Sequence, residues 1–192
     1  VVGLKLGYVP IEEYTFFVLQ SLLTGSWLLW LSRRLSLPTT SAPARVGWRV
    51  GVNLILAGIV AWGIFELARG HAPATYAALI LVWSLPPIMI QIAWGGHLLW
   101  HFRRLVLTSL VSVTLFLAAA DFLAIGDGIW TIDPGQSYNV FLFGVLPLEE
   151  FIFFLVTNTL LVFGITLALS RPSLEQFARL RARLKARNSA RS

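Results

Sequence analysis

Pro10-Ile11-Glu12-Glu13-Tyr14-Thr15-Phe16-Phe17 returns 137 residues downstream as Pro147-Leu148-Glu149-Glu150-Phe151-Ile152-Phe153-Phe154. Pro, both Glu and both Phe coincide, so four of the nine acidic residues lie in two copies of one pattern. Each copy opens a long apolar stretch. A carboxylate pair in hydrocarbon-facing sequence is costly to bury, and its duplication points to a use that repays the cost. Proton chemistry is the use that suits two adjacent acids.

The chain around these phrases is that of a membrane protein. Of its 192 residues, 57% are hydrophobic and 12% charged, against about 25% charged in a soluble domain. No cysteine is present, which excludes disulfides and thiolate metal sites. Asp-rich tracts for magnesium and diphosphate are absent, and so is a Gly-x-Gly-x-x-Gly fingerprint for a dinucleotide or flavin. No cofactor and no metal are therefore expected. The net charge of +6 does not indicate nucleic acid, because the basic residues lie between apolar stretches and in a tail, where membrane topology places them.

Five stretches are long enough to cross a bilayer, which takes roughly 20 residues each. They lie near 10–31, 50–68, 74–96, 105–126 and 139–169, with a linker of Pro, Ser and Thr from Ser32 to Trp48. Turns are expected at Arg69–Pro73 and at Gly128–Ser137, the latter around Asp133-Pro134-Gly135. Arg33, Arg34, Arg45 and Arg49 follow the first span, and Arg103 and Arg104 follow the third. Arg171, Arg179, Arg181, Arg183, Lys185, Arg187 and Arg191 follow the fifth, on the same side as these six. Only Lys5 and Arg69 fall on the other side. The positive-inside rule puts the larger group, 13 of the 15 basic residues, in the cytoplasm. Both acidic phrases then begin spans that run from outside to inside, as parallel repeats about an axis near the membrane normal.

The fold class is thus all-α integral membrane: a bundle of five visible transmembrane helices, with six or seven expected in the full chain. Residues 1–192 form one membrane domain, with repeat regions 1–68 and 105–170 and a basic cytoplasmic tail over 171–192. The tail alternates Leu and Phe with Arg, as an amphipathic segment on anionic lipid would. The chain begins at Val1 without Met, and further sequence upstream is expected.

Proline is favoured at the first helical position, so Pro10 and Pro147 read as helix starts. Each Glu pair then falls in a first turn, where free N–H groups and the helix dipole favour the anion. Apolar surroundings and the adjacent like charge favour the protonated acid instead. Opposed effects of this kind can keep one Glu protonated beside an ionised neighbour. Adjacent helical residues point about 100° apart, so the two members of a pair differ in role. Glu150 aligns with Phe154, Thr157 and Asn158, and Glu13 with Phe17, Gln20 and Ser21. Each copy offers an acid, an aromatic ring and a polar amide on one stripe, and aromatic faces stabilise cations. The alternative is that each pair is only a helix cap.

Asp121 lies late in the fourth span, on the side of both Glu pairs, and reads either as a site residue or as an interfacial acid. Glu66, beside Arg69 and His71, reads as a surface ion pair. His97 and His101 have the i, i+4 spacing of a helical metal site, but two ligands do not make one. Gln91 and Asn53 read as interhelical hydrogen-bonding residues, and the eight Trp as interface belts and packing.

The two Pro-x-Glu-Glu-x-x-Phe-Phe phrases, with Asp121, Ala124, Gly128 and Trp130 in an Asp-x-x-Ala-x-x-x-Gly-x-Trp pattern, resemble the integral-membrane lycopene cyclases. Both acidic copies in one chain resemble the fused form of that family. The pattern that should precede the first Glu pair is absent from these residues, and they hold no phytoene synthase domain. The resemblance implies conversion of the open ends of lycopene to β-ionone rings without net redox change. A proton adds to a terminal double bond, the neighbouring alkene attacks the cation, and loss of a proton closes the sequence. Such chemistry uses an acid, a base, cation-stabilising aromatics and a dry site, and no metal.

By motif position, Glu12, Glu13, Glu149 and Glu150 are the candidate acid and base, with Asp121 beside them. Phe16, Phe17, Phe153, Phe154, Gln20 and Asn158 are the candidate substrate contacts, the four Phe serving either the cation or helix packing. One shared site and two separate sites both remain open. The implied partners are lycopene and membrane lipid, with a homo-oligomer allowed and nucleic acid excluded, in a multi-pass cell-membrane protein. The competing readings are a relative that cyclises C50 carotenoids or makes ε or γ rings, a small proton-coupled transporter, and a non-catalytic membrane subunit.

Overall fold

The computed structural model describes residues 4–6, 9–35, 47–170, 173–175 and 177–182. Most of the expected linker (36–46) and the end of the tail (183–192) lie outside the described residues. Among those described, five helices are long and apolar enough to cross a membrane. They are α1 (Ile11–Arg34), α2 (Gly47–Ala68), α3 (Thr75–His101), α4 (Arg103–Gly126) and α5 (Leu148–Leu169). At 1.5 Å per residue the 22-residue α5 is about 33 Å long, matching a hydrocarbon core of about 30 Å.

The start of α1 is built like that of α5. Strands β1 (Lys5–Leu6) and β2 (Val9–Pro10) pair antiparallel ahead of α1. A second small hairpin, β3 (Phe141–Leu142) and β4 (Leu146–Pro147), precedes α5. Pro10 and Pro147 end these hairpins at φ −58°, ψ 145° and φ −58°, ψ 139°. Their fixed φ suits a helix entry where no N–H is needed.

Two boundaries differ from those expected. The last apolar stretch is divided at Pro147, the residue expected to start its helix: residues 141–147 form the second hairpin and the helix runs from Leu148, not from residue 139. Phe143 and Gly144 at the hairpin tip have φ of 51° and 75°, a reversal that helical backbone cannot make. The third span runs past residue 96 to His101, bending at Gly95 (φ −134°, ψ 21°). A Cβ at Gly95 would run into the Leu167 side chain, so the glycine lets α3 lie close against α5.

Helix α5 is the centre of the bundle, packing on α1, α3 and α4, while α2 packs on α3. Leu28, Leu98, Leu105 and Val162 fill one end of the core. Ile80, Ile88, Ile92 and Val156 fill the α3–α5 seam, and Val113, Leu117, Leu146 and Phe154 the α4–α5 seam. The start of the tail is helical at residues 173–175 and 177–182. Trp94 donates to the Ser173 hydroxyl at 3.1 Å, and its ring meets Phe177 edge-on.

Candidate functional site

Because α1 and α5 start at the same end of the bundle, their first turns reach one space. A cavity of about 620 Å³ lies there. Its walls are Glu12, Glu13, Phe16 and Phe17 of α1, Tyr76, Leu79, Ile80 and Trp83 of α3, and Glu150, Phe153 and Phe154 of α5. Residues 130–133 and Gln136, from the loop after α4, complete it. Leu79, Trp83 and Phe17 are 50%, 46% and 41% exposed, so the wall is open on the side between α1 and α3.

The acids are divided by helical geometry. Glu12, Glu13 and Glu150 line the cavity. Glu149, about 100° around α5 from Glu150, is not among the lining residues and is 2% exposed. Its Oε1 accepts from the Ser137 hydroxyl at 2.9 Å and from the Tyr138 N–H at 2.8 Å. It ties the loop to the helix start. Glu150 Oε1 accepts from the Tyr76 hydroxyl at 2.8 Å. Asp121 is buried behind the lining rather than in it. The Trp130 indole approaches the Asp121 carboxylate without closing a well-formed hydrogen bond. The loop after α4 thus folds back over the end of that helix.

The four phenylalanines both line the cavity and pack on one another. Phe16 meets Phe154 at 5.9 Å between centroids, Phe17 meets Phe153 at 5.7 Å, and Phe16 meets Phe153 at 6.4 Å. In the duplicated phrase Phe16 corresponds to Phe153 and Phe17 to Phe154. The first two contacts therefore exchange under a two-fold swap, and the third maps onto itself.

Gln20 and Asn158, expected at the substrate, lie outside the lining. Gln20 Nε2 donates to Thr157 Oγ1 at 2.7 Å and to Asn158 Oδ1 at 3.1 Å. Thr24 donates to the same Oδ1 at 3.0 Å, and Asn158 Nδ2 donates to Thr114 at 3.2 Å. Two turns into the bundle, these amides tie α1, α4 and α5 to one another. Glu66 is paired with Arg69 at 2.5 Å and His71 at 2.7 Å as expected, but it is 5% exposed rather than at the surface. Sequence alone does not single out Tyr76 or Trp83 as lining residues. A lone Tyr after a turn carries no signal, and Trp83 reads like any other interface tryptophan.

The chain is 39% identical over 169 residues to the lycopene beta-cyclase of Halobacterium salinarum, covering 87% of this chain and 68% of the relative. It is 35% identical over 175 residues to the bifunctional lycopene cyclase/phytoene synthase of Podospora anserina, covering 85% of this chain and 29% of that protein. The corresponding protein of Phaeosphaeria nodorum is 37% identical over 174 residues, with the same shares. The chain thus spans less than a third of the length of these two bifunctional relatives. No protein-family model and no solved structure matches the chain.

Proposed function

The chain belongs to the lycopene cyclase family, and on that premise we propose that it closes the open ends of lycopene into β-ionone rings within the membrane. The observation that carries this reading is the convergence of Glu12, Glu13 and Glu150 on one cavity walled by Phe16, Phe17, Phe153 and Phe154. One carboxylic acid protonates the terminal double bond, and the neighbouring alkene attacks the resulting cation. A carboxylate removes a proton from the ring, and no electrons are gained or lost overall. The phenylalanine faces stabilise the cation, and the apolar wall keeps water from capturing it. The opening between α1 and α3 offers a route for a substrate dissolved in lipid.

Glu13 and Glu150 occupy corresponding positions of the duplicated phrase and line the same cavity, which favours one shared site over two. The exchanging Phe contacts favour a parallel, two-fold-related pair of repeats. On the charge bias of the loops, the cavity lies at the extracytoplasmic end of the bundle. Asp121 stands behind the lining, and Glu149 holds the loop beside it.

The test is expression in cells that accumulate lycopene, with the pigments separated by chromatography. β-Carotene is expected from the unaltered chain and is lost in Glu150→Gln protein that still inserts. Lycopene left unchanged by inserted protein refutes the reading. Rings of another type would move the substrate or product assignment within the family.

A further inference from the structure

Tyr76 stands in the first turn of α3, between the buried Ala74, Ala77 and Ala78 that fix that turn against the bundle. Its ring packs on the Ile80–Ile88 cluster. Its hydroxyl reaches across the helix seam to Glu150, whose Oε1 accepts from it at 2.8 Å. Both residues line the cavity. Helices α3 and α5 are held together along their length, with Gly95 seated on Leu167 at the far end. The hydroxyl is therefore set by the fold and not by a mobile side chain alone.

We infer that Tyr76 is a positioning residue of the cyclisation site: it holds Oε1 of Glu150 and leaves Oε2 as the oxygen that exchanges a proton with the substrate. The inference rests on the proposed cyclase function. It assigns one geometry to either role of Glu150. As an acid, the Oε2–H bond breaks, its proton goes to the terminal alkene carbon, and its electron pair stays on the carboxylate. As a base, Oε2 takes a ring proton, and the C–H pair becomes the ring alkene. In both cases Oε1 stays bonded to Tyr76, and the carboxyl plane keeps its direction through the step. A carboxyl free to rotate would present either oxygen and spend part of its time turned from the reacting carbon.

The experiment compares Tyr76→Phe with the unaltered protein in lycopene-containing membranes, and repeats the substitution in a Glu150→Asp background. Glu150→Asp keeps a carboxyl group but draws it back from the hydroxyl by one methylene. Tyr76→Phe is expected to lower kcat about tenfold with KM changed less than about twofold, the size of one hydrogen bond to a charged group. In the Glu150→Asp background it is expected to cost less than about twofold further. An unchanged kcat refutes the inference, and so does an equal loss in both backgrounds, which marks a packing role. Failure of Tyr76→Phe protein to accumulate in membranes also refutes it, because a residue acting through one hydrogen bond leaves insertion intact. An unaltered protein without cyclised product overturns the proposed function itself, a result distinct from all of these.

Discussion

Glu149→Ala and Glu150→Gln are expected to fail in opposite ways, although the two residues are adjacent. Removing the Glu149 carboxylate deprives the Ser137 hydroxyl and the Tyr138 N–H of their shared acceptor at 2.9 and 2.8 Å. Two hydrogen bonds to a charged group contribute about 3–6 kcal/mol when neither donor finds a substitute. Tyr138 is 42% exposed, so its N–H regains water once the loop parts. The expected loss is accordingly about 2–4 kcal/mol, a fall in melting temperature of about 5–15 °C at this chain length. Glu150→Gln keeps an oxygen that accepts from Tyr76, and its stability should stay within about 1 kcal/mol. On the proposed mechanism it loses a proton-transferring group, which in general acid–base catalysis is worth about a hundredfold or more. Thermal unfolding of the detergent-solubilised variants, beside chromatography of the pigments they produce, reads both effects. A Glu149→Ala protein that melts with the wild type yet no longer cyclises would refute the division of roles. So would a Glu150→Gln protein that melts early and still cyclises.

Asn158→Ala should destabilise by about 2–3 kcal/mol by orphaning its partners on α1 and α4, while KM is unchanged; thermal melting and substrate titration check the two halves. Gly95→Val should cost about 1–3 kcal/mol, because its side chain meets Leu167 where α3 lies close against α5; the yield of inserted, unaggregated protein measures it. Phe16→Leu and Phe153→Leu remove a ring face worth about 0.5–2 kcal/mol to a nearby cation. The turnover of each should fall about 2- to 30-fold, and an unchanged turnover would leave these rings a packing role alone.

The helices are legible in the sequence because hydrocarbon demands long apolar runs, and each of the five contains one. The ends are less so. Residues 139–147 are apolar enough to belong to the last span; Pro147 marks where its helix starts, but the hairpin ahead of it, with its reversal at Phe143 and Gly144, has no such mark. The acids are legible as a group, since burial makes every carboxylate in such sequence conspicuous. Their division is not, because the 100° between Glu149 and Glu150 gives two directions without saying which one faces the cavity. Gln20 and Asn158 share a stripe with the acids, and a stripe is one face of a helix along its whole length. The cavity occupies only the first turns of that face, and deeper in, the same face is helix–helix contact. Tyr76 has no signal at all, since its role comes from α3 meeting α5 across the bundle.

On the cyclase reading proposed above, the duplicated phrase accounts for one site holding both an acid and a base. If the two phrases are related by a two-fold swap, as proposed, corresponding residues are brought toward a common axis, and the Phe16–Phe153 contact is what such a swap requires. A residue beside that axis would be supplied twice, and Glu13 and Glu150, at corresponding positions, both line the cavity. Strict symmetry would give both the same environment and the same proton affinity, which does not serve a reaction that needs a donor and an acceptor. The asymmetry comes from what the repeats do not share. Tyr76 bonds to Glu150, and the loop held by Glu149 closes over the α5 side. Glu13 is exposed and Glu150 buried. Duplication therefore provides the pair, and the unduplicated contacts of α3 and the α4–α5 loop make its members different.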